Sequence, residues 1–163
     1  MKGYPYNSRS FFTKNGAQGI GGGFELWRGY FQSVRPALGK MLVNIDISTG
    51  LMYKPGPLIP LCLDFFGLRG NDVRSLSQMN DSQRRSLQLF LAGIRVQMEH
   101  SGRTETVSRL TKESARNRTF KMRNGQTMTV EKYFKAHCNK PLRFPDLFCV
   151  EVRQSACFLS RFS

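Results

Sequence analysis

From Phe24 the chain alternates in the manner of an extended segment. Phe24, Leu26, Arg28 and Tyr30 share one face, while Glu25, Trp27, Gly29 and Phe31 share the other. Aromatic residues therefore occupy both faces, which predicts a strand covered on two sides. A second period-two run spans residues 41–48, with Val43, Ile45 and Ile47 on one face and Leu42, Asn44, Asp46 and Ser48 on the other. Together the two runs predict an antiparallel ribbon. Residues 1–23 lack such a pattern and read as irregular, with Gly19 and Gly21 to Gly23 as a flexible entry. Pro55, Pro57 and Pro60 then punctuate the start of a short helix over 58–66, closed by Gly67.

In the second half, residues 70–80 read as a linker. Asp81 or Ser82 is placed to cap a helix running to Leu91, whose apolar face carries Leu87, Phe90 and Leu91 and which Gly93 stops. Alternation returns over 94–99 and 104–111, giving two strands, and residues 112–119 read as a polar loop. Asn124-Gly125 marks a turn between short extended runs. Thr129 is suited to cap a helix from Val130 to about Cys138, with Glu131 complementing the helix dipole. Pro141 and Pro145 end regular structure there, and 148–152 is a last strand. Short strands around short helices predict an α+β or barrel-like domain.

Composition sharpens this picture in one respect. At 40% hydrophobic residues the 163-residue chain has enough apolar material for a core, but it also carries a net charge of +14. A surplus that large favours a polyanionic partner through counterion release. The charge is uneven, +4 over residues 1–68 and +10 over 69–163, which places the polyanion mainly on the second half. The four cysteines form no CxxC pair and the two histidines lie far apart, so no metal site is expected. Reduced thiols and a cytoplasmic location are the simplest reading. The apolar run 58–68 is broken by Pro60 and Asp64 and is too short to span a bilayer.

The candidate chemistry lies in two places. Six basic residues (Arg109, Lys112, Arg116, Arg118, Lys121 and Arg123) surround Phe120, with Glu113 as the one acid among them. Basic groups interleaved with a ring suit single-stranded RNA, although the same run equally describes a solvated loop. In the following helix Tyr133 and His137 are four apart on one face, beside Phe134. A phenol and an imidazole so placed suit a terminal phosphate or hydroxyl, while the pattern also fits an amphipathic core helix. His100, next to Ser101-Gly102, is by itself an ordinary histidine. No GxSxG elbow, P-loop, dinucleotide fingerprint or paired metal carboxylates occur, so catalysis and cofactors have no support.

The run Gly-Gly-Gly-Phe-Glu-Leu-Trp-Arg-Gly-Tyr-Phe-Gln-Ser-Val-Arg-Pro-Ala-Leu over 21–38, followed by Met-Leu-Val-Asn-Ile-Asp-Ile-Ser over 41–48, resembles the first linker of eukaryotic Argonautes. The segment 8–12, Ser-Arg-Ser-Phe-Phe, resembles the piece before it. Gly-Gln-Thr at 125–127, Val-Glu-Lys-Tyr-Phe-Lys at 130–135 and Asn-Lys-Pro-Leu-Arg-Phe-Pro at 139–145 resemble the PAZ domain, and the wording is most similar to fungal members. The resemblance covers about residues 8–152. It implies a linker ribbon with a helix over 1–68, an incomplete OB-like PAZ barrel with an inserted hairpin-and-helix module over 69–152, and an atypical tail over 153–163.

The same resemblance implies a pocket for the 3′-terminal nucleotides of a small guide RNA. Its matching positions are His100, Arg109, Phe120, Tyr133 and Phe134. Cys138 falls where the family places a second phosphate-gripping tyrosine, with His137 available beside it, and Ser108 falls where another tyrosine is usual. After Val152 the chain departs from the expected Leu-Pro-x-Glu strand that closes the barrel. The implied function is a non-enzymatic RNA-binding module of gene silencing. Its partners would be single-stranded small RNA and, in a longer product, the remaining Argonaute domains, with no membrane. Two alternatives stand beside it: an interaction or scaffold fragment that does not bind RNA, and a Dicer-type PAZ.

Overall fold

The computed structural model describes residues 3–70, 72–98, 102–122, 125–139 and 141–152. The chain divides into two units, residues 1–55 and 56–163. The helix over 58–65 therefore groups with the second unit.

The first unit is a four-stranded antiparallel sheet in the order β1 (Gly3–Pro5), β2 (Ser10–Gly21), β3 (Phe24–Ala37) and β4 (Lys40–Tyr53). The predicted ribbon is its centre: β3 and β4 pair without a break from Phe24 opposite Tyr53 to Ala37 opposite Lys40. The segment read as irregular is mostly strand. Its run of glycines forms the tight turn between β2 and β3, where Gly22 and Gly23 both take positive φ (63° and 81°). A two-residue hairpin turn with that geometry matches strand twist and costs residues with side chains most. Phe12 explains two further glycines. It lies across the sheet so closely that a Cβ at Gly29 would sit 2.5 Å from its ring, and one at Gly50 2.7 Å from it.

Direct cross-strand pairing puts Phe24, Leu26, Tyr30 and Val34 on one face with Tyr53, Leu51, Ile47 and Val43. Phe11 stacks on Tyr30 with ring centroids 5.3 Å apart. The other face carries Phe12, with Tyr6 edge-on at 5.8 Å, and Trp27, with Tyr4 at 5.6 Å. The expectation of a strand covered on both sides does not hold: no hydrophobic side chain of this unit is buried among the described residues, and Ile47 is 91% exposed.

The second unit holds the buried core. Helices α1 (Leu58–Phe65), α2 (Val73–Ser77) and α3 (Asp81–Leu91) precede β5 (Arg95–Gln97) and β6 (Thr104–Ser114). A hairpin of β7 (Thr119–Lys121) and β8 (Thr127–Thr129) leads into α4 (Val130–His137), and β9 (Phe148–Val152) returns beside β6. The stretch read as a linker thus contains α2. The stretch read as a polar loop begins with the last three residues of β6. Helix α3 is capped by Asn80, not by Asp81 or Ser82: its side chain accepts from Gln83 N at 2.8 Å and Gln83 Oε1 accepts from Asn80 N at 3.1 Å. That reciprocal box satisfies two amides that the first helical turn leaves without partners.

Leu87 and Leu91 of α3, both fully buried, join Leu61, Cys62, Leu63, Leu76, Val107, Leu110 and Val150 in the core. Phe90 stacks on Phe65 of α1 at 4.4 Å. Helix α3 is also tied to β6 by polar bonds, Arg84 Nη1 to Thr111 O at 2.8 Å and Leu110 N to Gln88 Oε1 at 3.3 Å. Strands β5, β6 and β9 form an open antiparallel sheet. Where the β6–β9 register slips, the buried Thr111 hydroxyl accepts from Cys149 N at 2.8 Å and donates to Glu113 O at 2.7 Å. The mixed α+β architecture with its hairpin-and-helix insertion agrees with the class read from the sequence.

Candidate nucleic-acid interface

Helix α4 is the centre of the candidate site. Thr129 caps it as expected, its hydroxyl accepting from Lys132 N at 3.3 Å, with Glu131 in the first turn. Asn139 follows with φ +48°, a left-handed conformation suited to asparagine just past a helix end. The helix is bonded back onto the turn that follows β6, by Val130 N to Arg118 O and Glu131 N to Ala115 O, each at 3.0 Å. Beneath α4 lies a second cluster of buried residues: Met98, Ala115, Val130, Phe134, Leu142 and Cys149.

Above that floor the rings converge on Tyr133. Phe120 of β7 meets it edge-on at 5.3 Å, Phe134 edge-on at 6.0 Å, and the His137 imidazole lies tilted at 5.0 Å. Phe134 is buried, Phe120 and Tyr133 are half-buried, and His137 is exposed. The gradient gives an apolar wall with a phenol and an imidazole at its rim. Such a wall suits a stacked base, and such a rim suits a hydroxyl or phosphate. Cys138, half-buried, packs against the core cluster beside Tyr133 and Phe120. His100 lies outside the described residues.

Arg109 stands apart from this group. It lies exposed on β6 and pairs with Glu151 of β9, whose side chain is 13% exposed. The same carboxylate accepts from Arg118 Nη2 at 2.9 Å, while Arg118 Nη1 reaches Glu113 at 2.9 Å. Arg116 pairs with Asp146 at 3.2 Å and lies 3.7 Å from Glu131, and Lys112 is 3.7 Å from Asp81. The basic arc that dominated the sequence is therefore largely met by acids drawn from other elements. Glu151 has no signal in the local sequence, because it lies 42 residues from one arginine and 33 from the other.

The thiols are consistent with a structural role: Cys62 and Cys149 are buried, and burial pushes the Cys62 thiol up to about 12, slightly opposed by a backbone hydrogen bond. No helix among the described residues is long and apolar enough to cross a membrane.

Comparison with known proteins extends this geometry. Residues 7–54 match the family model of the Argonaute linker 1 domain, and residues 71–159 match that of the PAZ domain. The Kluyveromyces polysporus Argonaute, solved with a guide RNA, is 17% identical, covering 95% of this chain and 20% of its own, with a TM-score of 0.60; that likeness concerns the fold. The Drosophila Argonaute 2 PAZ domain, solved for its recognition of nucleic-acid 3′ ends, is 28% identical over 61% of this chain and 83% of its own, with a TM-score of 0.45. Drosophila Piwi is 16% identical over 90% of this chain and 18% of its own, with a TM-score of 0.38. The chain spans about a fifth of the length of the whole proteins it matches.

Proposed function

This chain belongs to the Argonaute family, as a linker 1 followed by a PAZ domain, and from that premise we propose that its second unit anchors the 3′ end of a small guide RNA in gene silencing. The observation that carries the reading is the ring cluster about Tyr133, set on a capped helix over its own buried floor. The terminal base stacks against Phe120 and Tyr133, and the Tyr133 hydroxyl and His137 imidazole hold the terminal phosphate or hydroxyl. Phe134 fixes Tyr133 from below. Cys138 lines the base of this wall, and His137 supplies the polar group that a cysteine does not. Arg109 contributes through the field of the paired arc, and His100 is assigned to the pocket by its family position. The module binds RNA without catalysing a reaction, and it acts in the cytoplasm.

The test is binding of a short single-stranded RNA with a free 3′ end against the same RNA blocked there, at two salt concentrations. A preference for the free end that persists at higher salt, and that Tyr133→Ala removes, supports the pocket. Equal binding that fades with salt means charge alone is acting and sinks the reading. A second reading, an interaction piece of a longer Argonaute, is favoured by a different observation. The first unit buries no hydrophobic side chain among the described residues, so its sheet needs a cover.

A further inference from the structure

A cleft of about 800 Å³ lies between α2 and the segment before β9, and none of Phe120, Tyr133, Phe134 and His137 lines it. That volume is within the roughly 300–1,000 Å³ of sites that enclose small ligands. Its apolar floor is Val73, Phe144, Pro145 and Leu147, of which Leu147 is buried and the others half-buried. Arg74 and Arg143, both exposed, stand at the rim. The Arg143 guanidinium carbon lies 5.3 Å above the Phe144 ring centre, so the two form a stacked platform. Asp146, the one acid lining the cleft, is engaged by Arg116 at 3.2 Å.

The contrast with the basic arc is what gives the cleft meaning. Arg109, Lys112, Arg116 and Arg118 each meet a carboxylate. Among the described residues no carboxylate pairs with Arg74 or Arg143. Two guanidiniums that no described carboxylate meets, beside an apolar, aromatic floor, fit a ligand that is flat on one part and anionic on another. A guanidinium presents a planar fork to phosphate oxygens and a planar face to a base.

We infer that this cleft is a second contact for single-stranded RNA, independent of the strand end, taking a backbone phosphate on Arg74 and Arg143 and a base against Phe144. The choice of RNA as ligand rests on the reading of this domain as an RNA binder. The end preference of the Tyr133 pocket plays no part in it.

The experiment uses the full chain and a dye-labelled oligouridine in two forms, free and blocked at the 3′ end, read by fluorescence anisotropy across salt concentrations. The double variant Arg74→Ala/Arg143→Ala is expected to weaken both forms by the same factor, about tenfold, and to flatten the salt dependence. A charge-matched control, Arg85→Ala/Arg103→Ala, removes two exposed arginines outside the cleft and should have a clearly smaller effect. With 4-thiouridine in the strand, photo-crosslinks should map to residues 143–147 and disappear in Phe144→Leu. Loss of binding equal to that of the control, or crosslinks mapping elsewhere, overturns the proposal. Failure of the Tyr133 pocket shows instead as no difference between free and blocked strands, with the effect of the cleft variant intact.

Discussion

The two units of this chain use the same kind of alternating apolar sequence to opposite ends. In the sheet of residues 3–53 the alternation sorts aromatics onto both faces, yet no hydrophobic side chain there is buried among the described residues. In the unit from Gly56 onward, shorter strands with fewer aromatics form a core, because four helices are available to cover them. Alternation specifies a face. Only a second layer turns that face into an interior.

The largest expected effect that would break this comparison is in the core. Leu87→Ala removes a fully buried side chain and should lower stability by about 2–5 kcal/mol, whereas Ile47→Ala, 91% exposed, should stay within about 0.5 kcal/mol. Urea denaturation of the two variants gives the answer, and equal midpoint shifts would mean that the sheet is covered after all. Next comes a polar contrast. Glu151→Gln breaks a largely buried carboxylate away from Arg109 and Arg118 and should cost about 1–3 kcal/mol in thermal melting. Asp46→Asn, at an exposed carboxylate that accepts from Asn44 at 2.8 Å, should leave the melting temperature nearly unchanged. Glu151→Gln should also raise salt-sensitive RNA binding several-fold, since one negative charge leaves the arc.

Smaller again is the helix cap. Asn80→Ala should lower stability by about 1 kcal/mol, since it leaves the Gln83 amide in the first turn of α3 unmatched. The least perturbing probe is chemical. Mass-resolved alkylation of the native chain should label half-buried Cys138 before Cys62 and Cys149. Burial holds the Cys62 thiol protonated up to about 12 against an ordinary value of 9.0. The folded state therefore binds the proton more tightly. That contribution to stability is full below pH 9 and is lost as pH rises from there towards 12. Fast labelling of Cys62 in that window would report opening of the helical layer, and its absence would show the layer intact.

Much of the fold was legible because its signals are local. The β3–β4 ribbon, the helix over Asp81–Leu91 and the Thr129 cap follow from periodicity and capping chemistry within a few residues. The strand over Ser10–Gly21 was missed because its pattern is mixed with polar and glycine residues, and pairing with β3 holds it extended. The cap of α3 lies one or two positions before the residues the sequence suggests, because Asn80, Asp81 and Ser82 all suit it; the reciprocal bond to Gln83 decides among them.

The candidate site divides in the same way. The spacing of Tyr133 and His137 on one helical face is a property of the sequence, and the ring distances agree with it. The meeting of Phe120 with Tyr133 depends on the β7–β8 hairpin folding back onto α4. The basic arc shows the limit most clearly. Its positive run is written in residues 109–123, but the charge it presents is set by Glu151, Asp146 and Asp81, brought in from distant parts of the chain. By itself the sequence determined which residues alternate, cap and carry charge, since those properties belong to neighbours. The tertiary structure alone decided which faces are covered and which charges are met, since burial and ion pairing depend on groups that only folding brings within a few ångströms.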